Sequence, residues 1–87
     1  MQVELGSSYP NPFNPETSIP YGLPEAAHVR VEVYNVLGQQ VALLVDAEKE
    51  AGRHEVVWQA VGVPTGLYLV RLVAGSVQKV QRITLVK

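Results

Sequence analysis

The sequence predicts an all-β domain, a sandwich of six short strands with a seventh left open near the N-terminus. Valine is the commonest residue, with 16 in a chain of 87, and its branched side chain fits a pleated strand better than a helix. Apolar and polar residues alternate with a period of two, and turn residues separate these stretches at intervals of roughly 8–12 residues. Because no stretch has a long helical apolar period and the chain has no cysteine, a helical bundle and a disulfide-rich mini-protein are excluded.

Residues 1–16 are predicted to form an extended, proline-rich entry segment, followed by one sandwich domain over residues 17–87. Ser7–Pro15 contains three prolines, each of which fixes its own φ and pushes the preceding residue toward extended conformations. Since proline has no N–H to donate, we expect this segment to lie outside any central strand, with Phe13 against the core.

The first predicted strand, Thr17–Leu23, contains Pro20. A proline removes one ladder donor, so this strand is expected at the edge of a sheet. Residues 24–27 are typical of a turn that leads out of it.

The clearest hairpin joins residues 29–34 to residues 40–45. Valines alternate with polar residues throughout its first strand, a pattern typical of one buried face. Gly38 can supply the positive φ that a tight hairpin turn needs. The apolar face of the returning strand is expected to carry Val41, Leu43 and Val45.

A polar connection is predicted over residues 46–52, with room for one helical turn at most. The next strand follows over residues 54–59 and alternates again. Its inward face is expected to carry His54, Val56 and Trp58.

After a second connection over residues 60–66, Leu67–Val73 is apolar on both faces. Such a strand is typical of the centre of a sheet. Its two faces are expected to carry Tyr68, Val70 and Leu72 on one side and Leu67, Leu69, Arg71 and Val73 on the other. A turn then precedes the last predicted strand, Val77–Val86.

The net charge of −1 conceals an uneven distribution of charge. Residues 1–55 hold all eight acidic residues and three basic ones, whereas residues 56–87 hold four basic residues and no acid. Four dispersed cations without interleaved aromatics are too sparse for a nucleic-acid surface. Two readings stay open: the charges mix on the folded surface, or the basic C-terminal third faces a partner.

The chain has no constellation typical of catalysis or metal binding. Its two histidines, His28 and His54, lie far apart in sequence without a metal-ligand spacing, and the chain has no nucleophile motif or phosphate loop. The carboxylates are expected to be solvated, with Glu48 and Glu50 on a loop and Glu32 and Glu55 at exposed strand positions. We therefore predict no enzyme activity, no metal site and no cofactor. No apolar run is long enough to span a bilayer. The first six residues have no basic start and no apolar core, so we do not expect them to act as a secretory signal peptide.

Carbohydrate binding is an alternative, because small β-sandwiches stack sugars on exposed aromatic rings. Trp58 and Tyr68 occupy core positions in the pattern. A sugar platform would therefore need two exposed, coplanar rings among Tyr9, Tyr21 and Tyr34.

Six segments, taken in order, resemble one known family. Tyr9–Pro15 reads YPNPFNP, and Thr17–Pro24 follows the pattern T-x-I-x-Y-x-L-P. The later segments are residues 31–41 (VEVYNVLGQQV), 52–58 (GRHEVVW), 65–72 (TGLYLVRL) and 81–87 (QRITLVK). Together they resemble the type A C-terminal sorting domain of type IX secretion systems, which is akin to the immunoglobulin-like domain of flagellar hook-capping proteins. The matching motif residues are Pro10, Asn11, Pro12, Phe13, Asn14, Pro15, Gly38, Trp58, Gly66 and Tyr68.

The resemblance implies an immunoglobulin-like antiparallel β-sandwich of about seven strands at the C-terminus of a larger secreted protein. Its implied role is to direct export through the outer membrane of a Gram-negative bacterium and attachment to the cell surface. Its implied partners are the outer-membrane secretion and attachment machinery and the upstream catalytic or binding domains of the parent chain. The candidates for the sorting signal are Lys79, Arg82, Ile83, Leu85, Val86 and Lys87. Two alternatives remain, a structural immunoglobulin-like spacer and a carbohydrate-binding module of a secreted glycoside hydrolase.

Overall fold

Seven strands form two antiparallel sheets in the computed structural model, which describes residues 2–87. The strands are β1 (Glu4–Leu5), β2 (Glu16–Leu23), β3 (Ala27–Tyr34), β4 (Gln40–Lys49), β5 (Gly52–Gln59), β6 (Gly66–Ala74) and β7 (Val77–Leu85). One sheet has the order β1-β2-β5 and the other the order β4-β3-β6-β7. The predicted all-β sandwich is confirmed, including the strand left open near the N-terminus.

The core lies between the two sheets and is built from alternate residues of each strand. β3 contributes three valines with no exposed surface, and the inward residues predicted for β6 are buried as well. Trp58 is buried at the end of β5, as its position in the alternation predicted. The core consists of Phe13, Ile19, Tyr21, Leu23, Val29, Val31, Val33, Trp58, Ala60, Tyr68, Val70, Leu72, Ala74, Ile83 and Leu85.

β6 is a central strand, as its two apolar faces predicted. It pairs with β3 on one side and with β7 on the other. Its outer face is only partly solvated, since Leu69 and Val73 are half-buried. The neighbouring strands therefore cover side chains on both faces of β6.

Pro20 does not mark an edge strand, and that prediction is wrong. β2 is the middle strand of its sheet, between β1 and β5. The Pro20 carbonyl accepts a hydrogen bond from the Gly6 N–H at 2.9 Å, so its nitrogen faces the same side, toward β1. β1 pairs only with Tyr21 and Gly22, and the missing N–H of Pro20 therefore breaks no ladder.

β4 does not place Val41, Leu43 and Val45 on one face. Two register shifts interrupt its pairing with β3, so that Val31 lies opposite Val45 but Glu32 lies opposite Leu43. Such bulges reverse the direction of the side chains that follow. Leu43 is exposed as a result, while Val41, Ala42, Leu44 and Val45 pack against the core.

Residues 46–49 are strand rather than the predicted polar connection. They extend β4 along β3 as far as the pair Ala27–Lys49, and no helical turn forms. Glu50 and Ala51 alone then cross to the other sheet, where β5 begins at Gly52, opposite Leu23. Glu48 is accordingly a strand residue, not a loop residue.

Candidate functional site: the C-terminal strand and the segment that covers it

β7 divides the six predicted sorting-signal residues between the core and the surface. Ile83 and Leu85 have no exposed surface, because their side chains point between the sheets. The other four are exposed: Lys79, Arg82, Val86 and Lys87. A partner that binds the folded domain can therefore contact these four side chains but not the two core residues.

The outer edge of β7 is covered by residues 8–15, which we call the strap. Phe13 forms a parallel bridge with Leu85. The Phe13 N–H donates to the Thr84 carbonyl, and the Val86 N–H donates to the Phe13 carbonyl, each at 2.9 Å. The strap thus extends the four-stranded sheet by one short pairing at the C-terminal end of β7.

Asn11 continues this pairing with its side chain instead of its backbone. Its Oδ1 accepts a hydrogen bond from the Thr84 N–H at 3.0 Å, and its Nδ2 donates to the Arg82 carbonyl at 3.2 Å. Pro10 and Pro12 have no N–H, so the strap backbone cannot form a regular ladder here. The asparagine amide supplies the donor and the acceptor that the prolines lack.

The other end of the strap is bound to the opposite sheet. Tyr9 and Ser18 of β2 exchange two backbone hydrogen bonds at 3.0 and 2.9 Å, and the Thr17 hydroxyl donates to the Pro10 carbonyl at 2.8 Å. Gln81 of β7 adds two bonds nearby, since its Nε2 donates to the Gly6 carbonyl at 2.6 Å and its Oε1 accepts from the Ser8 N–H at 2.9 Å. The strap therefore closes the side of the sandwich where β1 is short.

Phe13 also anchors the strap in the core, where 1% of its surface remains exposed. Its ring centroid lies 5.5 Å from that of Trp58, and Trp58 meets Tyr68 edge-on at 5.4 Å. Three of the motif residues thus form one aromatic cluster. Among the other motif residues, the strap prolines and Asn14 are exposed. Gly38 has a positive φ of 82°, as expected at the hairpin turn. Gly66 is the first residue of β6 and lies opposite Leu85.

Asn11→Ala is expected to lower the free energy of unfolding by about 1–2 kcal/mol, because two exposed hydrogen bonds to β7 are lost. Asn14→Ala, a change in the same strap at another exposed residue, is the matched control and should stay within about 0.5 kcal/mol of the parent. Urea titration measures both, and amide exchange at Thr84 should quicken only in Asn11→Ala. Equal effects of the two substitutions would contradict a clamp by the Asn11 side chain.

Glu32 is a buried acid, with 2% of its surface exposed, and the expectation that it is solvated is wrong. Arg30 Nη2 donates to Glu32 Oε2 at 2.9 Å, and Arg71 Nε donates to Glu32 Oε1 at 2.8 Å. Burial alone raises the pKa of the Glu32 carboxyl, but the hydrogen bonds from Arg71 and Arg30 outweigh burial and hold the pKa below its ordinary value. Glu55 is exposed, as predicted.

The exposed tyrosines form no platform for a sugar. Tyr21 is buried in the core, which corrects its predicted exposure, and its ring stacks on His54 at 5.2 Å. The Tyr9 hydroxyl donates to Glu55 on the three-stranded sheet, whereas Tyr34 lies beneath Arg71 on the four-stranded sheet. These two rings therefore occupy opposite outer faces of the sandwich.

An open cleft of about 570 Å³ lies beside β1 and the β6–β7 turn. Its lining includes Leu23, Ala74 and Lys79 but no aromatic ring. Within residues 2–87, no three His, Asp or Glu side chains are grouped so that they could hold a metal ion. The same stretch contains no helix with the length and hydropathy of a membrane span.

The fold and the site together define a small β-sandwich module whose C-terminal strand is tied to an N-terminal signature. The model of the family described as "Secretion system C-terminal sorting domain" matches residues 7–86, and the chain belongs to that family. None of the curated proteins matches the chain. The domain is a C-terminal sorting signal for type IX secretion, a type of domain that marks proteins exported to the cell surface or secreted by Gram-negative bacteria. Sorting domains of this type are generally non-catalytic, and they interact with the secretion machinery and a parent chain.

Proposed function

We propose that the outer-membrane secretion and attachment machinery recognises the exposed side chains of β7 and of the residues that follow it, namely Lys79, Arg82, Val86 and Lys87. The observation that carries this proposal is the distribution of charge: residues 56–87 contain four basic residues and no acid. Three of those cations, Lys79, Arg82 and Lys87, are exposed on this strand and its end. A partner surface that carries carboxylates would complement them.

In this proposal Ile83 and Leu85 act indirectly, as core residues that hold β7 in place. The sorting unit is the strap together with the sandwich, rather than residues 17–87 alone, because the strap covers the edge of β7 and contributes Phe13 to the core. The chain itself is not an enzyme and needs no cofactor. It delivers the catalytic or binding domains of its parent to the outer surface, where they are attached.

The proposal is tested by fusing a periplasmic reporter upstream of this chain in a bacterium with a type IX system. Removing residues 83–87 would also remove two core side chains, so charge reversal is the sharper change. Lys79→Glu, Arg82→Glu and Lys87→Glu together are expected to reduce export of the reporter roughly tenfold or more. Circular dichroism melting checks that the variant remains folded.

The matched control reverses two other cations, Lys49→Glu and Arg53→Glu, which lie on β4 and β5 away from the strap. These changes should leave export within about twofold of the parent, since they shift the net charge but spare β7. Retention of the unmodified fusion in the periplasm would refute the sorting role of the chain. Equal losses of export in the two charge variants would refute recognition through β7.

A further inference from the structure

The turn between β3 and β4 presents two large apolar side chains to solvent. Val36 is 67% exposed and Leu37 is 80% exposed; we call this pair the apolar tip. Turn positions ordinarily carry Gly, Pro, Asn, Asp or Ser, for reasons of backbone conformation and local hydrogen bonding. The apolar tip adds nothing to the core, so the packing of the domain does not explain it.

The apolar tip is held rigidly by its own turn. Asn35 Oδ1 accepts hydrogen bonds from the Leu37 N–H and the Gln39 N–H, both at 3.0 Å. The Gly38 N–H donates to the Asn35 carbonyl, and the Asn35 N–H donates to the Gln39 carbonyl, also at 3.0 Å. These four hydrogen bonds within five residues hold the backbone from which both apolar side chains project, which lowers the entropic cost of binding a partner.

A small cleft adjoins the apolar tip, and we call it the end cleft. It has a volume of about 200 Å³, and Pro64–Leu67 form its opposite wall, with Tyr68 at its base. This volume is below the roughly 300–1,000 Å³ of a site for a drug-sized molecule. A cleft of this size beside an apolar protrusion suits a side chain offered by another protein.

The surroundings of the end cleft are neutral or basic. No charged side chain lines the cleft itself. Lys87 lies at its rim, where Nζ donates to the Val63 carbonyl at 2.9 Å, and no acidic residue occurs between positions 56 and 87. Charge complementarity therefore favours carboxylates beside the apolar group of a partner.

We propose that the apolar tip and the end cleft form a second recognition surface, which docks on a protein of the outer-membrane export machinery through an apolar side chain flanked by carboxylates. This inference rests on the sorting function and identifies a surface for it other than β7. The tip and the cleft together involve eight residues, well below the roughly 20–30 residues per partner of a stable dimer. The single lysine at the rim would attract an anionic membrane surface only weakly. The surface therefore fits a transient protein contact better than a second copy of the chain or a lipid bilayer.

The test replaces two apolar side chains of the surface, Leu37→Thr and Leu67→Thr, in the reporter fusion. The matched control replaces two apolar side chains elsewhere, Leu43→Thr on β4 and Val57→Thr on β5, which are 45% and 44% exposed. We expect the first pair to reduce export about tenfold or more and the control pair to leave it within about twofold. Thermal melting of each purified chain checks folding.

Binding to isolated outer-membrane fragments distinguishes the three kinds of occupant. The parent chain should bind the fragments, lose binding after the fragments are shaved with protease, and bind less in the Leu37→Thr, Leu67→Thr variant. Equal binding to protein-free vesicles of extracted outer-membrane lipid would overturn the proposal in favour of a membrane contact. Self-association of the parent chain in sedimentation, abolished in the same variant, would overturn it in favour of a second copy.

The export assay separates failure of this inference from failure of the sorting function. If the unmodified fusion stays in the periplasm, the sorting function itself is refuted. If the unmodified fusion is exported and the Leu37→Thr, Leu67→Thr variant is exported equally well, only the second surface is refuted. Equal losses in the test and control pairs would also refute it, because export would then depend on apolar surface in general.

Discussion

Phe13→Ala is expected to lower the free energy of unfolding by about 3–5 kcal/mol, the usual cost of deleting a fully buried aromatic ring. Phe13 is 1% exposed, and its ring fills space beside Trp58, so the substitution leaves a cavity in the aromatic cluster. The total stability of 87 residues is expected to be only about 4–13 kcal/mol. At the lower end of that range the variant would be largely unfolded at physiological temperature.

The Phe13→Ala substitution should also weaken the edge of β7, because the Phe13 backbone pairs with that strand. The Phe13 N–H and carbonyl bond to Thr84 and Val86, and a strap without its anchor would hold this edge weakly. We therefore expect amide exchange at Val86 to quicken in Phe13→Leu as well, a milder substitution that keeps much of the apolar volume and leaves the domain folded.

Tyr9→Ala is the control for Phe13→Ala, since it removes another aromatic ring from the same strap. Tyr9 is 54% exposed, and its substitution should cost about 1 kcal/mol. Urea titration measures both values. A Phe13→Ala loss no greater than that of Tyr9→Ala would show that Phe13 does not anchor the strap in the core.

Local alternation was sufficient to predict the strands whose pattern is unambiguous. β3 alternates strictly, and its valines are buried as expected. The returning strand β4 was harder because residues 41–45 are all apolar, so no period of two exists to locate the bulges. Pro20 misled for a different reason: an edge position follows from proline only when the neighbouring strand is long enough to need its N–H.

The geometry of the candidate site could not be predicted from the sequence, because it depends on contacts between residues far apart in the chain. Asn11 and Arg82 are 71 positions apart, and nothing near either residue indicates that they meet. The motif resemblance indicated that the opening signature and the basic tail matter, but not that one covers the edge of the other. Ile83 and Leu85 were expected among the sorting-signal residues with no face assigned to them, and both lie in the core instead of at the surface.

Glu32→Gln is expected to lower the free energy of unfolding by about 1–3 kcal/mol at neutral pH, since charge-assisted hydrogen bonds to a buried carboxylate are lost. Arg30 and Arg71 remain 39% and 36% exposed, so their charges can regain water when Glu32 is neutralised. The effect should therefore stay below the roughly 3–5 kcal/mol seen when a fully buried ion pair loses one partner.

The loss of unfolding free energy in Glu32→Gln should be largest at neutral pH and smaller in acid. The pKa of Glu32 is lower in the folded protein than its ordinary value, so ionised Glu32 stabilises the fold fully above the unfolded value, about 4.3. As pH falls below that value, the unfolded chain takes up the proton first, and this contribution declines until pH passes the folded pKa. The gap in stability between the parent and Glu32→Gln should consequently narrow in acid. Glu25→Gln, at an exposed turn residue, should show neither the loss nor the pH dependence.

A double-mutant cycle with Arg71 separates the ion pair from simple burial. Glu32 and Arg71 lie directly opposite each other on β3 and β6, so the pair also favours the register of these two central strands. Arg71→Gln leaves Glu32 with Arg30 alone, and the double variant Glu32→Gln, Arg71→Gln should cost less than the sum of the single variants by at least about 0.5 kcal/mol. Additive losses, or a gap between parent and Glu32→Gln that stays constant into acid, would mean that the buried carboxylate contributes through its packing and not through its charge.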